Sequence, residues 1–353
     1  MESFDINMLP TPVLLVDLDI MENNLQAMAS FFKNKECKLR PHFKNHKCIV
    51  LAKKQLAAGA IGITTATLHE TETLVNTGIN SILVANEIAG EANLTRLVAL
   101  AAETEIIAAV DNEKVVDDLA RLSTGKINKL SLVVDIDLGL KRCGVKPGLA
   151  VLELAKKILS KGLHFNGLMG YEGHLQRLNP NNESLQVRQQ AIHQLIESKN
   201  ILLQHGIKVH MVSAGGTGTY NIAGSIEGIT EVQAGNYLLM DTSYLPFAPG
   251  FQPALSLLTS VISVTPGERF IVNAGIKEIS AERGLPSLKN IKGASLKALH
   301  AEHGMVDTDG QVSPVNVGDN IELSPFYSDG TVNLHRKMYG VRNGKVEEIF
   351  EIS

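Results

Sequence analysis

The feature that most constrains the fold is an alternation that runs from about residue 13 to residue 245. Short aliphatic or β-branched runs alternate there with longer amphipathic stretches. The first pair is VLLVD (13–17) and IMENNLQAMASFFKN (20–34), whose apolar residues have helical spacing. Similar runs follow at 61–67, 81–86, 106–111, 130–137, 164–171, 208–216 and 229–241. Recurring strands with a helix between them predict a parallel sheet, because parallel neighbours need a crossover connection.

The number and length of these units predict the fold class. About eight units over roughly 230 residues match an α/β chain folded as a (β/α)₈ TIM barrel. An open, doubly wound sheet is the competing interpretation. After residue 245, strand alternation broken by Gly, Pro and Asp-Gly turns predicts an antiparallel β domain. We therefore expect a barrel over 13–245 and a C-terminal β-rich domain over 246–353, with 1–12 as a candidate addition to the second.

Composition and charge exclude several classes of partner. The 353-residue chain has a formal net charge of −4, with lysines and glutamates interleaved, so it offers no basic field to nucleic acid. No apolar run approaches the roughly 20 residues that span a bilayer, and MESFDINMLP lacks the apolar segment of a signal peptide. Three scattered cysteines suit a reducing compartment. We expect a cytoplasmic protein with no nucleic-acid or membrane partner.

The segment KLRPHFKNHK (38–47) is the first candidate for chemistry. It follows the first predicted helix, where a second barrel strand is expected to end, and barrel active sites lie at the C-terminal ends of strands. A solvated basic loop is the alternative. Two histidines, three lysines and an arginine beside Leu39 and Phe43 indicate a partly buried cluster, in which neighbouring cations favour an unprotonated lysine. Schiff-base formation requires such an amine.

A second candidate is the stretch SAGGTGTY (213–220), directly after the predicted strand VHMV. Small residues let backbone N–H groups approach an anion, and threonine hydroxyls add donors, so a phosphate is the expected ligand. The stretch lacks the lysine of a P-loop, which favours a phosphorylated cofactor over a nucleotide. A tight turn that needs positive φ is the alternative. Three glycines and two threonines within 215–219 argue against that simpler explanation.

A third polar group, DIDLGLKRCGV (135–145), lies at another predicted strand end. Its Arg142 is able to contact the ring or the carboxylate of a ligand. An ordinary salt bridge is equally open, and the residues alone do not decide between the two.

Taken together, these segments resemble the D-threonine aldolase and D-serine dehydratase family. The matching segments follow in order along nearly the whole chain: TPVLLVD (11–17), RPHFKNHK (40–47), ATLHETE (66–72), GLKRCGV (139–145), GYEGH (170–174), SAGGTGTY (213–220), QAGNYLLMD (233–241), EHG (302–304) and PFYSDGTVNL (325–334). That family belongs with the fold-type III pyridoxal-phosphate (PLP) enzymes, which include alanine racemase. The resemblance implies a PLP-binding barrel, a second β domain, a small amino acid as substrate, and a homodimer.

The resemblance also implies roles for individual residues. Lys44 would carry the cofactor as a Schiff base, and Arg142 would lie near its pyridine nitrogen. Tyr171 and His174 would line the substrate side and, with Lys44 and Tyr327, are the candidate catalytic residues. The implied cofactor-binding residues are Lys44, Arg142, Tyr171, Gly216, Thr217, Gly218, Gly235, Asn236 and Tyr237, the last six around the phosphate.

The chain departs from this family at the expected metal site. In the aldolases and dehydratases a His and, two residues on, an Asp or Cys hold a divalent metal that polarises the β-hydroxyl of the substrate. Here Tyr327 occupies the histidine position and Asp329 remains. One carboxylate and a neutral phenol are a poor site for Mn²⁺ or Zn²⁺, whereas Mg²⁺ with several waters is compatible. The sequence leaves open whether Asp329 binds a metal.

Two catalytic functions follow from this departure. One is a lyase on a small D-β-hydroxy amino acid, of the D-threonine aldolase or D-serine dehydratase type, in which Tyr327, Asp329 or His174 handles the hydroxyl proton. The other is an amino-acid racemase or epimerase with Lys44 and Tyr327 as opposing bases, since a racemase needs a base on each face of the substrate. We predict the lyase, because the framework is that of the lyase family.

Two functions of other classes also use parts of this pattern. A non-catalytic PLP-binding protein would share the barrel, but the hundred or so residues after 245 argue against it. A sugar-phosphate barrel would use the Gly-Thr stretch without needing Lys44. No motif identifies the particular amino acid.

Overall fold

The computed structural model describes residues 3–125, 129–310 and 315–353. The chain begins with the strands β1 (Phe4–Asp5) and β2 (Val13–Asp17), followed by the helix α1 (Leu18–Phe32). The helix begins where the Asp17 side chain accepts a hydrogen bond from the Ile20 N–H at 3.0 Å. This N-cap satisfies a backbone donor that has no partner within the helix, so the start of α1 is encoded locally.

A closed parallel barrel follows α1. Its eight strands within the described ranges are β3 (Lys38–Leu39), β4 (Ile63–Thr65), β5 (Ile82–Val84), β6 (Ile106–Val110), β7 (Leu130–Ile136), β8 (His164–Gly170), β9 (Met211–Ala214) and β10 (Glu231–Val232). Their order in the sheet is β3-β10-β9-β8-β7-β6-β5-β4. A parallel bridge between His42 and Thr64 then joins β3 to β4. This closure confirms the predicted (β/α)₈ barrel and excludes the open sheet.

A helix lies in each crossover between consecutive barrel strands. These helices are α2 (Ile49–Ala57), α3 (Leu68–Val75), α4 (Glu91–Glu103), α5 (Glu113–Ser123), α6 (Leu149–Ser160), α7 (Asn182–Gln204) and the short α8 (Tyr220–Ala223). The side chains of Thr67, Asn112 and Asn181 cap α3, α5 and α7 by accepting N–H groups of the first turn. Among the helices that the structure describes, none is both long and apolar enough to cross a membrane.

The inside of the barrel is packed with side chains. Six residues form one buried cluster there: Leu83, Ile107, Ala109, Val133, Met169 and Met211. β7 is buried along its whole length, as expected for a parallel strand that is covered on both faces. Side chains alternate along a strand, so Asp135 faces inward like Val133 but lies above this layer, at the C-terminal end. The strand ends therefore form the floor of a polar cleft.

The second domain is built on a mainly antiparallel sheet. Its later strands are β11 (Leu255–Thr265), β12 (Arg269–Val272), β13 (Ser287–Lys289), β14 (Ser295–Leu299), β15 (Gly304–Asp307), β16 (Asn320–Ser324), β17 (Lys337–Arg342) and β18 (Lys345–Glu351), with the helix α9 (Ser328–Val332) before β17. The sheet order is β1-β18-β17-β2-β11-β12-β15-β14, and β16 pairs with β11 and β13. This confirms the predicted C-terminal β domain.

The sequence pattern assigned one strand to the wrong sheet. VLLVD (13–17) was expected in the barrel, but β2 pairs antiparallel with β11 and parallel with β17 in the second domain. The barrel begins with β3 instead, so KLRPHFKNHK contains the first barrel strand and the residues just after it, and not the end of the second strand. A strand that is buried on both faces has the same aliphatic run in either sheet, so the local pattern does not distinguish them.

Candidate active site

Lys44 lies at the barrel mouth on a single 3₁₀ turn, Phe43–Asn45, just after β3. The turn begins where the His42 ring accepts a hydrogen bond from the Lys44 N–H at 3.4 Å. Phe43 is fully buried, and the burial of its ring anchors the turn. The Lys44 Nζ atom lies 3.6 Å from Asp329 Oδ2, and 44% of the Lys44 side chain is exposed. An amine of the barrel thus faces a carboxylate of the second domain.

The two histidines of this segment are buried supports for the turn. His46 Nδ1 accepts the Cys48 N–H at 3.0 Å, and His46 Nε2 lies 3.1 Å from Gln55 Oε1. This arrangement requires the proton on Nε2, because Nδ1 acts as an acceptor. Burial lowers the pKa of His46 to about 4, so the ring is neutral at physiological pH. Burial also lowers the pKa of His42, and the charge of Lys44 adds to that effect.

A buried polar network holds α9 against the Lys44 turn. Asn45 Nδ2 donates to Ser328 Oγ at 2.8 Å and to Asp329 Oδ1. Asn236 Nδ2 donates to Ser328 Oγ at 3.0 Å and to Asp241 Oδ2 at 3.1 Å. The Ser328 N–H and hydroxyl both donate to Asp241 Oδ2 at 3.0 Å. These bonds fix the position of Asp329 relative to Lys44.

The glycine-rich loop after β9 lies at the same end of the barrel. The Gly216 N–H donates to Thr219 Oγ1 at 3.1 Å, and the Gly218 N–H donates to Gln176 Oε1 at 2.9 Å. A Cβ atom at position 218 would lie 2.1 Å from the Gln176 carbonyl oxygen. Gly216 and Gly218 therefore serve close packing and loop shape, and their N–H groups are already engaged.

Three neighbouring backbone donors remain free. Within the described parts of the chain, the N–H groups of Thr217, Gly235 and Asn236 donate no hydrogen bond. We call these three the phosphate cradle. A Cβ at position 235 would lie 2.6 Å from the His42 carbonyl oxygen, so the cradle packs directly against the Lys44 turn. Free N–H groups from two loops that converge beside an amine form a suitable site for an anion.

Tyr237 supports this region from behind. Its ring is fully buried and lies 5.6 Å, centroid to centroid, from that of Phe251. Its hydroxyl accepts a hydrogen bond from Gln55 Nε2 at 3.0 Å, and its N–H donates to Thr217 Oγ1 at 3.0 Å. The side chain of this predicted cofactor ligand thus lies in the core, and its N–H joins the two loops.

Arg142 enters the mouth beside a pair of acids. Its guanidinium carbon lies 5.7 Å from the centroid of the Tyr171 ring. Burial raises the pKa of Asp135, and the neighbouring Glu87 carboxyl adds to the rise. The Asp135 carboxyl is therefore protonated more readily than an exposed aspartate, because a charge in this buried region is costly. Glu87 Oε1 is buried without a hydrogen-bond partner among the described residues.

The other predicted catalytic residues lie near Asp329 or at the rim. The negative charge of Asp329 acts on Tyr171 and Tyr327, whose pKa values are raised first by burial. Both phenols are therefore neutral at physiological pH. His174 is exposed, and a Cβ at Gly139 would lie 3.3 Å from its Nε2 atom. The structure thus brings Lys44, Tyr171, Tyr327 and Asp329 together and places His174 at the edge.

Sequence reasoning missed several residues of this site. Asn45, Asp241 and Ser328 lie inside quoted segments, and their polar side chains beside apolar runs were an available signal. Arg177 and Arg283 stack on tyrosine rings of the cleft. Arg283 lies in no recognisable motif, so only the fold reveals its position.

The donors around Asp329 do not form a metal site. Across the described residues, no group of three or more His, Cys, Asp or Glu side chains is arranged to hold a metal ion. The Asp329 carboxylate is already paired with Lys44 and Asn45. The Tyr327 phenol is neutral, and the Arg283 guanidinium lies 4.2 Å from the centre of its ring. A fixed positive charge beside a single engaged carboxylate disfavours a divalent cation.

A closed barrel with an amine and an anion cradle at its mouth, joined to a second β domain, defines an alanine racemase-like protein. The family model described as "Alanine racemase, N-terminal domain" matches residues 16–243. A second model, "Putative serine dehydratase domain", matches residues 254–341. The two matches cover the barrel and most of the second domain.

The chain belongs to the D-threonine aldolase and D-serine dehydratase family, which confirms the resemblance. It is 34% identical to a D-threonine aldolase from Arthrobacter sp over 97% of this chain and 92% of that protein. It is 32% identical to a 3-hydroxy-D-aspartate aldolase from Paracoccus denitrificans over 99% of this chain and 93% of that one. The crystal structure of D-threonine aldolase from Filomicrobium marinum superposes with a TM-score of 0.96 at 30% identity, covering 99% and 97% of the two chains.

Proposed function

We propose that the protein is a PLP-dependent lyase that acts on a small D-β-hydroxy amino acid. One observation carries the proposal: the Lys44 amine lies 3.6 Å from the Asp329 carboxylate, and Lys44 is flanked by the free donors of the phosphate cradle. A PLP lyase needs an amine for the cofactor, a site for its phosphate and a base beside the bond that breaks. The names of the aldolases to which the chain is similar support the same reaction class.

The residues present fit PLP. The Lys44 amine would bind its aldehyde, the phosphate cradle would bind its phosphate, and Arg142 would lie at the ring nitrogen. The buried amide oxygens Asn45 Oδ1 and Asn236 Oδ1, which have no partner among the described residues, supply acceptors on the same side. When bound, PLP supplies an electron sink for the charge that develops on the substrate.

Asp329 is the base that we assign to the β-hydroxyl group. Its carboxylate is held by Asn45 and faces Lys44, so a substrate that reaches the Lys44 amine presents its β-carbon beside Asp329. Acceptance of the hydroxyl proton by Asp329 starts cleavage of the Cα–Cβ bond, and Lys44 delivers a proton to Cα. Tyr171 and Tyr327 are neutral donors that orient the substrate.

The lyase is better supported than the racemase alternative. A racemase would use Tyr327 as the second base, which requires an ionised phenol near neutral pH. Burial and the Asp329 charge both raise the pKa of Tyr327. The charge of Arg283 opposes that rise but is a smaller effect than either. Tyr327 is therefore poorly suited to accept a proton from the substrate.

The decisive test is the identity of the product. The holoenzyme is incubated with D-threonine, D-serine, D-3-hydroxyaspartate and L-alanine, and aldehyde, keto acid and inverted amino acid are measured separately. We expect aldehyde or keto acid from at least one D-β-hydroxy substrate and no inversion of alanine. Asp329→Asn should lower this activity while the protein still binds PLP. Inversion of L-alanine without any aldehyde or keto acid would refute the lyase.

A homodimer and a cytoplasmic location belong to the same proposal. They follow from the resemblance and from the composition of the chain. Size-exclusion chromatography with light scattering measures the first, and a monomer at working concentration would contradict it.

A further inference from the structure

Two arginines lie against tyrosine rings at the substrate side of the cleft. The guanidinium carbon of Arg177 lies 4.4 Å from the centroid of the Tyr244 ring. That of Arg283 lies 4.2 Å from the centroid of the Tyr327 ring. Arg177 follows β8 in the barrel, whereas Arg283 belongs to the loop between β12 and β13 of the second domain. Stacking on a ring fixes the plane of a guanidinium and so orients its donors.

Neither arginine has an anionic partner in the part of the chain that the structure describes. No ion pair or hydrogen bond joins Arg177 or Arg283 to a carboxylate there. The Arg177 Nε atom is buried and has no acceptor among those residues. A desolvated N–H of a charged group is costly when it is unpaired. Arg283 is exposed, so its free donors are open to a ligand that enters from solvent.

The two positive charges act on the same small volume. Burial raises the pKa of Tyr244 to about 12, and the charges of Arg177 and Arg283 both oppose that rise. The same two charges oppose the rise at Tyr327, which burial and Asp329 produce. Each guanidinium therefore stacks on one of the two tyrosine rings and lies within electrostatic range of the other.

The acidic groups around this pair are engaged elsewhere or exposed. Asp241 accepts hydrogen bonds from Ser328 and Ser243, and Asp329 pairs with Lys44. Glu282 is exposed beside Arg283 and forms no ion pair with it in the described residues. The positive charge of the pair is thus not neutralised within that part of the protein.

We propose that Arg177 and Arg283 form a carboxylate subsite for the side chain of the substrate, so that the preferred substrate is a β-hydroxy amino acid with a second carboxylate. This proposal rests on the proposed lyase function and specifies its substrate class. A hydrogen or methyl group at the β-carbon would leave both guanidiniums without an anion. A β-carboxylate pairs with them through charge-assisted hydrogen bonds, which are among the stronger polar contacts in proteins.

The α-carboxylate and the cofactor phosphate are the two other anions that enter this cleft. The phosphate has the free N–H groups of the phosphate cradle, to which Arg283 of the second domain does not contribute. The α-carboxylate is common to every amino acid, so an arginine that served it would not separate one substrate from another. The effect of each arginine on substrate preference therefore distinguishes the three anions.

The experiment compares D-3-hydroxyaspartate with D-threonine in the holoenzyme and in Arg283→Met and Arg177→Met. We expect the wild type to prefer the dicarboxylate in kcat/KM by about tenfold or more, as charge-assisted pairing predicts. In Arg283→Met the ratio of the two kcat/KM values should fall at least tenfold, mainly through KM for the dicarboxylate. Arg269→Met is the matched control, because Arg269 is exposed on β12 and pairs with Glu268.

Each other outcome overturns the assignment. Equal loss on both substrates would identify an α-carboxylate site, and weaker PLP binding in either variant would identify a phosphate contact. Arg177→Met has a half-buried site, so its folding is checked by thermal unfolding, and Arg283→Met tests the proposal independently. Calorimetric titration of the holoenzyme with a non-reacting dicarboxylate tests the carboxylate subsite separately from the lyase reaction. If the wild type binds the dicarboxylate and Arg283→Met does not, the subsite is supported even when no substrate is cleaved. The proposed carboxylate subsite is wrong if the wild-type protein binds no dicarboxylate and does not prefer 3-hydroxyaspartate.

Discussion

The two ends of the cleft use different kinds of chemical group. The phosphate cradle uses backbone N–H groups of two loops in one domain. The substrate end uses side chains from both domains, chiefly Asp329 and Tyr327 of the second domain and Arg177 of the barrel. The first end agrees with the family resemblance in its segments, whereas the second carries Tyr327 in place of the usual histidine.

This contrast shows where a chain of this fold is able to change its chemistry. A backbone donor keeps its position when a side chain is replaced, so the cradle depends on loop shape and on glycines that permit close packing. A side-chain donor set changes with a single substitution. On the proposed function, a single substitution at the substrate end would change which amino acid reacts, whereas the backbone donors of the cradle would remain in place.

The largest expected effect is at Lys44, which touches both ends. Lys44→Ala removes the amine for the cofactor and the proton donor to the substrate, so kcat should fall about 10²–10⁴-fold. The visible absorbance of bound PLP should also be lost. Steady-state kinetics and an absorbance spectrum measure the two effects. Lys54→Ala, which removes a partly exposed lysine paired with Glu348, is the control and should change neither. An active, coloured Lys44→Ala would remove the basis of the proposed function.

The next effect is the contribution of His46 to the pH dependence of the unfolding free energy. Burial lowers the pKa of His46 from 6.5 to about 4 in the folded state. Between these values the unfolded chain binds the proton more readily, so stability present above pH 6.5 is lost as pH falls toward 4. The His46 contribution is at most about 3 kcal/mol. Urea unfolding at several pH values should show a shallower acid loss in His46→Gln. An unchanged slope would mean that His46 is not the group responsible.

A smaller effect tests whether the cradle depends on close packing. In Gly235→Ala the added Cβ would lie 2.6 Å from the His42 carbonyl oxygen, so the loop must shift. We expect a loss of about 1–3 kcal/mol in unfolding free energy and weaker PLP binding. Gly250→Ala is the matched control, because its Cβ would make an ordinary contact of 3.7 Å with the Tyr220 hydroxyl. Thermal unfolding and PLP titration compare the two. Similar results for both variants would argue against a packed cradle.

The smallest expected effect is that of a chelator. The donors around Asp329 do not fit a divalent metal, so EDTA should change the activity of the wild type by less than about twofold. Tyr327→His restores a His and Asp pair at 327 and 329 and should gain affinity for Mn²⁺ in calorimetric titration. A large loss of wild-type activity in EDTA that Mn²⁺ reverses would show that the substrate end holds a metal after all.

The sequence predicts the cofactor end of the cleft better than the substrate end. The alternation of aliphatic and amphipathic runs is enough to predict the barrel, because parallel strands and their crossover helices have separate sequence periods. Lys44 and the 213–220 loop were found because they lie within single continuous segments. The pair of Arg177 and Arg283 was not, because stacking joins residues that are distant in sequence and belong to different domains. Val13–Asp17 was misassigned for the same reason: its partners, β11 and β17, are remote.

The second domain contains both ends of the chain, since β2 pairs with β17 and β1 pairs with β18. Lys44 and the cradle are therefore translated well before the strands that position Asp329 are complete. The two halves of the cleft thus come from segments far apart in the sequence, and they meet where α9 packs against the Lys44 turn. A change that weakens the pairing of β2 with β17 should therefore disturb the Asp329 side of the cleft more than the barrel side.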